Sequence, residues 1–169
     1  FLRLNGQVIG AVANRIECIG EDGKPLQKFD AALTERGCKK AARFVWFCDA
    51  FDIPVLTLTN TEGFAATVCE ERRLSENAAA LVSAFASATV PKVNVITQKA
   101  YGSPYVIMNS KAIGADLTFC LADTEIGVMD ADFAAKILSD GKSSAETLSI
   151  RQKYAELQNN ASSAAGRGY

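Results

Sequence analysis

Two short runs of β-branched and aliphatic residues, IPVLTLT (53–59) and KVNVIT (92–97), bracket a stretch of helical period. That alternation constrains the fold more than any other feature of the chain. Runs this short and this uniformly apolar read as strands buried on both faces. The stretch between them, LSENAAALVSAFASATV (74–90), is rich in alanine; Ser75 is its expected N-cap and Pro91 its stop. Upstream, Ala41, Phe44, Val45, Phe47, Cys48 and Phe51 recur near helical spacing, with Lys39, Lys40 and Arg43 towards the other side, which predicts a helix over 35–51. Strand, helix, strand, helix, strand dictates an α/β domain with mainly parallel pairing and right-handed crossovers. The 169 residues fit one domain, 1–169, with no repeat or dividing linker.

Asn5-Gly6 predicts a two-residue hairpin turn, because both residues tolerate positive φ. Val8–Ala13 is a continuous apolar run, expected as a strand buried on both faces. Asn14–Thr34 is polar around Glu21-Asp22-Gly23-Lys24-Pro25 and is expected as one long irregular loop. NTEGFAATVCEERR (60–73) reads as a loop around Gly63, with charge at its end. Tyr105–Ile113 is expected as a short helix ended by Gly114. LTFCLAD (117–123) and EIGVM (125–129) are strand-like, and DADFAAKIL (130–138) is helical. Residues 143–158 are expected as an amphipathic helix, with Ser143 and Glu146 at capping-box spacing. The last eleven residues are small and polar. The chain starts at Phe1 with a strand pattern already under way, so it is read as part of a longer polypeptide.

Composition excludes more than it selects. The net charge of −1 without a basic block argues against nucleic acid or an anionic membrane surface as partner. No apolar run reaches 18 residues, so direct membrane insertion is not expected. Histidine is absent, which removes histidine-dependent nucleophile systems and histidine metal sites. The five cysteines, at 18, 38, 48, 69 and 120, have no CxxC spacing. They read as reduced thiols in a cytoplasmic protein rather than as a disulfide framework or metal site.

Loops at the carboxyl ends of parallel strands are where chemistry is expected. One follows PVLTLT and holds Glu62, Gly63 and Phe64; the other follows KVNVIT and holds Gly102 and Ser103. A glycine near a helix start can present backbone N–H groups to a developing negative charge. Such glycines also have ordinary conformational reasons to be there, so spacing alone leaves both readings open. Lys99 can neutralise an anion or be a solvated strand end; Tyr101 and Tyr105 can line a pocket or pack. Asp123, Glu125, Asp130 and Asp132 are expected mainly as caps and solvated charges. Glu62 is the acid closest to a candidate oxyanion glycine.

The order of NGQVIGAVAN, KAARFVWFCDAFDIPVLTL, Gly63-Phe64, FASATVPKVNVITQKAYG, GAD, EIGVM and GRGY resembles one family. It is similar to the C-terminal half of the carboxyltransferase subunit of biotin-dependent acyl-CoA carboxylases and decarboxylases, of the propionyl-CoA carboxylase β and methylmalonyl-CoA decarboxylase type. The likeness covers nearly the whole chain apart from residues 15–34. It implies a crotonase-type fold, a spiral of ββα units, in which the C-terminal half mainly holds biotin. It further implies an acyl-CoA held by the chain's own N-terminal half, a biotin carboxyl carrier protein or domain as partner, and homo-oligomers from dimer to hexamer. The chemistry implied needs no histidine: the cofactor supplies the reactivity, and backbone amides stabilise the oxyanions. On that resemblance Gly63, Phe64, Gly102 and Ser103 are catalytic candidates, and Gly63, Phe64, Tyr101, Ser103, Tyr105 and Val106 biotin-side candidates; no metal is implied.

The chain departs from the family pattern in these loops. Where the family usually has Lys-Ala-Tyr-Gly-Gly-Ala-Tyr, Ser103 and Pro104 replace the second Gly and the Ala, which resemble oxyanion donors; Pro104 has no N–H. Val106 stands where propionyl-type enzymes usually carry an acid. The usual Pro-Gly-Phe-Leu-Pro-Gly is here Glu62–Thr67, and Asp130 and Phe133 replace glycines, the latter a substitution expected to be hard to accommodate. Two functions are therefore expected: an active carboxyltransferase half with a remodelled pocket, or a catalytically impaired scaffold or regulatory paralogue.

Overall fold

The computed structural model describes residues 1–169. Its strands are β1 (Leu2–Leu4), β2 (Gln7–Ala13), β3 (Glu17–Ile19), β4 (Pro25–Lys28), β5 (Ala32–Leu33), β6 (Val55–Thr61), β7 (Gly63–Phe64), β8 (Lys92–Tyr101), β9 (Leu117–Cys120) and β10 (Glu125–Gly127). Its helices are α1 (Glu35–Ala50), α2 (Val68–Glu71), α3 (Leu74–Ser87), α4 (Gly102–Ile107), α5 (Ala131–Leu138), α6 (Ser144–Tyr154) and α7 (Ala161–Gly166). A 3₁₀ turn covers Lys111–Ile113 and a π-helical turn Ala155–Asn159. No helix is long and apolar enough to cross a membrane.

The main sheet runs β1-β2-β6-β8-β10, and every pairing except β1 with β2 is parallel. The ten-residue β8 is its axis: β9 lies beside Val93–Ile96 and β10 beside Lys99–Tyr101, in tandem on one edge. The Asn5-Gly6 turn is present, with φ of +48° and +83°. The expectation that Val8–Ala13 is buried on both faces fails, because β2 buries only Gly10 and Val12. Gly10 is needed for closeness rather than conformation. A Cβ there would meet Cys48 Sγ at 2.5 Å, so its absence lets α1 settle on β2.

The core sits between α1, α3 and the sheet. Cys38, Ala42, Val45 and Cys48 from α1 meet Leu81, Ala84 and Phe85 from α3, with Val12, Val55, Ile107 and Met108 beneath. Thr34 caps α1, accepting from Gly37 N at 3.0 Å. Part of the buried sheet face is polar: Thr59 Oγ1 donates to Asn94 Oδ1 at 2.8 Å, and Asn109 Nδ2 to Thr57 Oγ1 at 3.2 Å. A second, smaller cluster joins Ile96, Ala100, Tyr105, Ile126 and Ala164.

Several expectations are corrected. Asn14–Thr34 is not irregular: β3 and β4 form an antiparallel hairpin, and β5 pairs with β7. Ser75 is not the cap of α3; Arg73 is, without a side-chain bond. Instead Lys92 closes the other end, Nζ donating to the carbonyls of Phe85 (2.8 Å) and Ala88 (2.7 Å). β8 runs four residues further than KVNVIT and leads directly into α4, so the helix expected over 105–113 begins at Gly102 and ends at Ile107. Gly114 ends the 3₁₀ turn with φ +103°. α6 has its capping box but no buried residue, so it is not amphipathic in this fold. The C-terminal residues form α7, capped by Asn160. Phe133 is accommodated by pointing outward, with Lys136 over its ring, and Asp130 caps α5.

Candidate functional site

The carboxyl ends of β6, β8 and β10 converge, as the parallel topology requires. Thr61 pairs with Ala100, and Lys99–Tyr101 pair with Glu125–Gly127. The two candidate loops are thereby neighbours. β8 passes through Tyr101 into α4 by way of Gly102, whose φ is +59°. A Cβ at Gly102 would come to 3.1 Å from the Val128 carbonyl oxygen, so both conformation and space demand glycine. Ser103 follows in the first turn of α4, where N–H groups lack intrahelical acceptors.

Lys99 and Glu62 form an ion pair across the loops at 2.8 Å. The hydrogen bond from the ammonium to Glu62 holds the Lys99 pKa above its ordinary value against the opposing effect of burial. Lys99 is thus neither free nor merely solvated. Tyr101 is buried, and its hydroxyl donates to the Glu125 carboxylate. Burial, and then that bond, push the Tyr101 phenol well above its usual range. Glu125 was expected as a cap or solvated charge and is instead this buried hydroxyl's acceptor. Asp132 pairs with Arg151 on the surface.

Gly63 differs from the expectation. It lies in the two-residue β7, and the following helix starts only after its cap Thr67, so Gly63 is not at a helix N-terminus. Nothing lies within 4 Å of a Cβ built there, and its carbonyl accepts from Thr61 Oγ1 at 3.2 Å. Phe64 packs against the main core. Tyr105 belongs to the second cluster, with Val106 packed against it. Tyr105 and Val106 also line a cavity of about 350 Å³ with Ser110, Lys111 and Arg167, apart from Gly102 and Ser103. The candidates therefore share one end of the sheet, but Gly63, Phe64, Gly102 and Ser103 do not line the cavity behind Tyr105 and Val106.

Asn14 and Asn60 were missed in the sequence. Asn60 N donates to Asn14 Oδ1 at 3.1 Å, and the Asn14 carboxamide donates back to the Asn60 carbonyl, joining the ends of β2 and β6. An asparagine directly after each of the apolar runs 8–13 and 53–59 was the available signal. A cavity of about 670 Å³ opens beside Asn14, between Arg15, Phe29 and the start of α1.

Residues 1–166 match the model of the carboxyl transferase domain. A putative propionyl-CoA carboxylase beta chain of Bacillus subtilis is 44% identical over 162 residues, 94% of this chain and 30% of that protein. The mitochondrial propionyl-CoA carboxylase beta chain of Homo sapiens is 38% identical over 170 residues, 100% of this chain and 29% of that protein. Among solved structures, the transcarboxylase 12S hexamer with methylmalonyl-coenzyme A and methylmalonic acid bound superposes with a TM-score of 0.86. It is 34% identical over 98% of this chain and 31% of its own. The chain spans about three tenths of the length of these relatives.

Proposed function

The chain belongs to the carboxyl transferase domain family and has its crotonase-like fold, and on that premise we propose that residues 1–169 form the biotin-side half of an acyl-CoA carboxyltransferase subunit. The observation that carries this reading is the turn at Tyr101–Ser103. A backbone conformation that only glycine adopts easily sits at the carboxyl end of the axial strand, under a carbonyl that would crowd a side chain at 3.1 Å. Such a turn suits a preorganised backbone donor.

In this reading the Ser103 N–H donates to the developing oxyanion on the biotin side. Gly102 shapes the turn, and Tyr101, tied to Glu125, fixes where it starts. The Gly63 backbone, paired to β5 through β7, borders the same site from the second loop, and Phe64 anchors that loop in the core. Tyr105 and Val106 shape the wall behind α4. Carboxybiotin, when bound, supplies the carboxyl group and the nitrogen that exchanges it. The protein's task is to orient both partners and to hold charge at fixed oxygens. The acyl-CoA is expected on the chain's own N-terminal half, biotin on a carrier protein or domain, and the subunits in a cytoplasmic oligomer between dimer and hexamer.

Pro104 favours a second reading, an impaired scaffold or regulatory paralogue. It is the third residue of α4, where the fold tolerates proline because no intrahelical bond is lost. The cost falls on donors instead: removing one oxyanion donor lowers rates about 10²–10³-fold. The test is carboxyl transfer from malonyl-CoA or methylmalonyl-CoA to free biotin by the full-length subunit, beside its Pro104→Ala variant. Activity in the parent supports the remodelled enzyme. A silent parent with gain in Pro104→Ala identifies the missing N–H, and silence in both favours the scaffold.

A further inference from the structure

β6 leaves the ladder early. Its pairing with β8 is regular from Val55 with Lys92 to Thr59 with Ile96; it then breaks, and resumes only at Thr61 with Ala100. Beyond that rung Gly63 and Phe64 pair with β5 rather than β8. Thr97, Gln98 and Lys99 therefore bulge opposite Asn60. The Asn60 side chain fills the gap, Nδ2 donating to Gln98 Oε1 at 2.9 Å and Oδ1 accepting from Lys99 N at 3.2 Å.

Those contacts stop short of the next loop. Past Thr61, the Lys99–Glu62 contact at 2.8 Å is the one side-chain hydrogen bond joining Glu62–Thr67 to the end of β8. Lys99 also stands opposite Glu125 in the ladder, but that carboxylate already accepts the Tyr101 hydroxyl. Glu62 thus has a defined partner, and Lys99 lies three residues before Gly102. The carboxylate makes its hydrogen bond to Lys99 and none to Gly102 or Ser103.

We propose that Glu62 is a positioning residue: by holding the Lys99 ammonium it fixes the Glu62–Thr67 loop against β8 and sets the separation between the Gly63 backbone and the Gly102–Ser103 turn. The proposal rests on the biotin-side reading above. A donor turn works only when its distance from the opposing loop is fixed, since displacement of about 1 Å can cost up to about 10²-fold in rate. An exposed pair adds little to global stability, so the signature of this one is local.

The experiment uses the full-length subunit with Glu62→Gln, Lys99→Met and the double variant, read by hydrogen exchange and by steady-state transfer to free biotin. In Glu62→Gln, exchange over residues 99–104 is expected to quicken about tenfold with an unchanged thermal midpoint. The kcat/KM for biotin is expected to fall about tenfold while KM for malonyl-CoA stays put. Because the two residues act through each other, the double variant should match the single ones. Unchanged exchange in Glu62→Gln, additive losses in the double variant, or an equal change in the malonyl-CoA KM would each overturn the proposal. A wild-type subunit without transfer activity sinks the functional reading alone. The exchange data then still decide the clasp, quickened exchange supporting it and unchanged exchange ending it.

Discussion

The region from β1 to Met108, just past α4, and the region from β9 to Tyr169 are built on different terms. The first supplies the whole of the 14-residue core cluster, between Val12 and Met108. The second contributes only Ile126 and Ala164 to the small cluster. It leaves Phe133, Ile137, Leu138, Leu148 and Leu157 exposed, and α6 buries nothing. Beside the buried alanines of α5, what orders the second region is polar and local: the Asp130 cap, the Ser143–Glu146 capping box, the Asp132–Arg151 pair and the Arg167 guanidinium on the carbonyls of Leu157 and Gln158. Caps and exposed pairs contribute typically about 1 kcal/mol each or less, whereas burying one aromatic contributes about 1.5–3 kcal/mol. Mutational sensitivity should divide along the same line.

The largest effect expected is from Phe85→Ala, a fully buried ring between α1 and α3, at about 3–5 kcal/mol in urea unfolding. Leu148→Ala, the same kind of truncation on exposed α6, should stay within about 0.5 kcal/mol. Equal losses would dissolve the comparison. Lys92→Met is next. It keeps an apolar stem but strips the donor from two buried carbonyls at the end of α3, and should cost about 1–3 kcal/mol. Ser143→Ala sharpens the other side, costing about 1 kcal/mol through a lost cap.

Thiol chemistry draws the same line without a substitution. Cys38 and Cys48 are buried under α1, and burial pushes the Cys38 thiol up to about 11. Cys69 and Cys120 are exposed. With a maleimide at pH 7.5, Cys69 and Cys120 should label first, and Cys38 and Cys48 only as the core opens. Peptide mapping over time reads the order; early labelling of Cys38 would mean the α1–sheet packing is looser than its contacts imply.

Legibility in the sequence divides along related lines. α1, α3, β6 and β8 were readable because apolar period and β-branched runs report burial directly. The β3–β4 hairpin was not, since all four residues of β4 are exposed and its strand register leaves no hydrophobic alternation. Lys92 was hidden because a lysine opening a strand reads as solvated until α3 places two carbonyls above it. At the site, Gly102 was legible as a turn glycine. The Glu62–Lys99 pair was not, because the bulge that brings position 62 beside position 99 depends on Asn60 and Asn14, which carry no periodic signal. Gly63 misled for the opposite reason: a glycine after a strand looks like a helix start, but the chain first forms β7.

The smallest expected effect is a pH dependence. Arg151 donates to Asp132 and Ser143 to Glu146, and each bond holds its carboxyl below the ordinary value, 3.8 and 4.5 respectively. Asp49, accepting from Thr89 and Val90 at the end of α1, is lowered in the same way, first by the Thr89 backbone N–H. A lowered carboxyl binds fewer protons folded than unfolded, so its contribution is complete above the ordinary value and is lost as pH falls through the lowered one. Stability should therefore be flat from pH 7 to pH 5 and decline only below about pH 4.5. All three groups are solvated, so the decline should be shallow and should weaken further in high salt. The regions should separate here too. The Asp49 bonds only tie the edge of a packed core, whereas the Asp132–Arg151 pair links α5 to α6 and the Glu146 bonds cap the start of α6. Hydrogen exchange at pH 7, 5 and 3.5, corrected for intrinsic rates, should show α5 and α6 opening before α1 and α3. Simultaneous opening would mean that the two regions unfold as one unit despite their different construction.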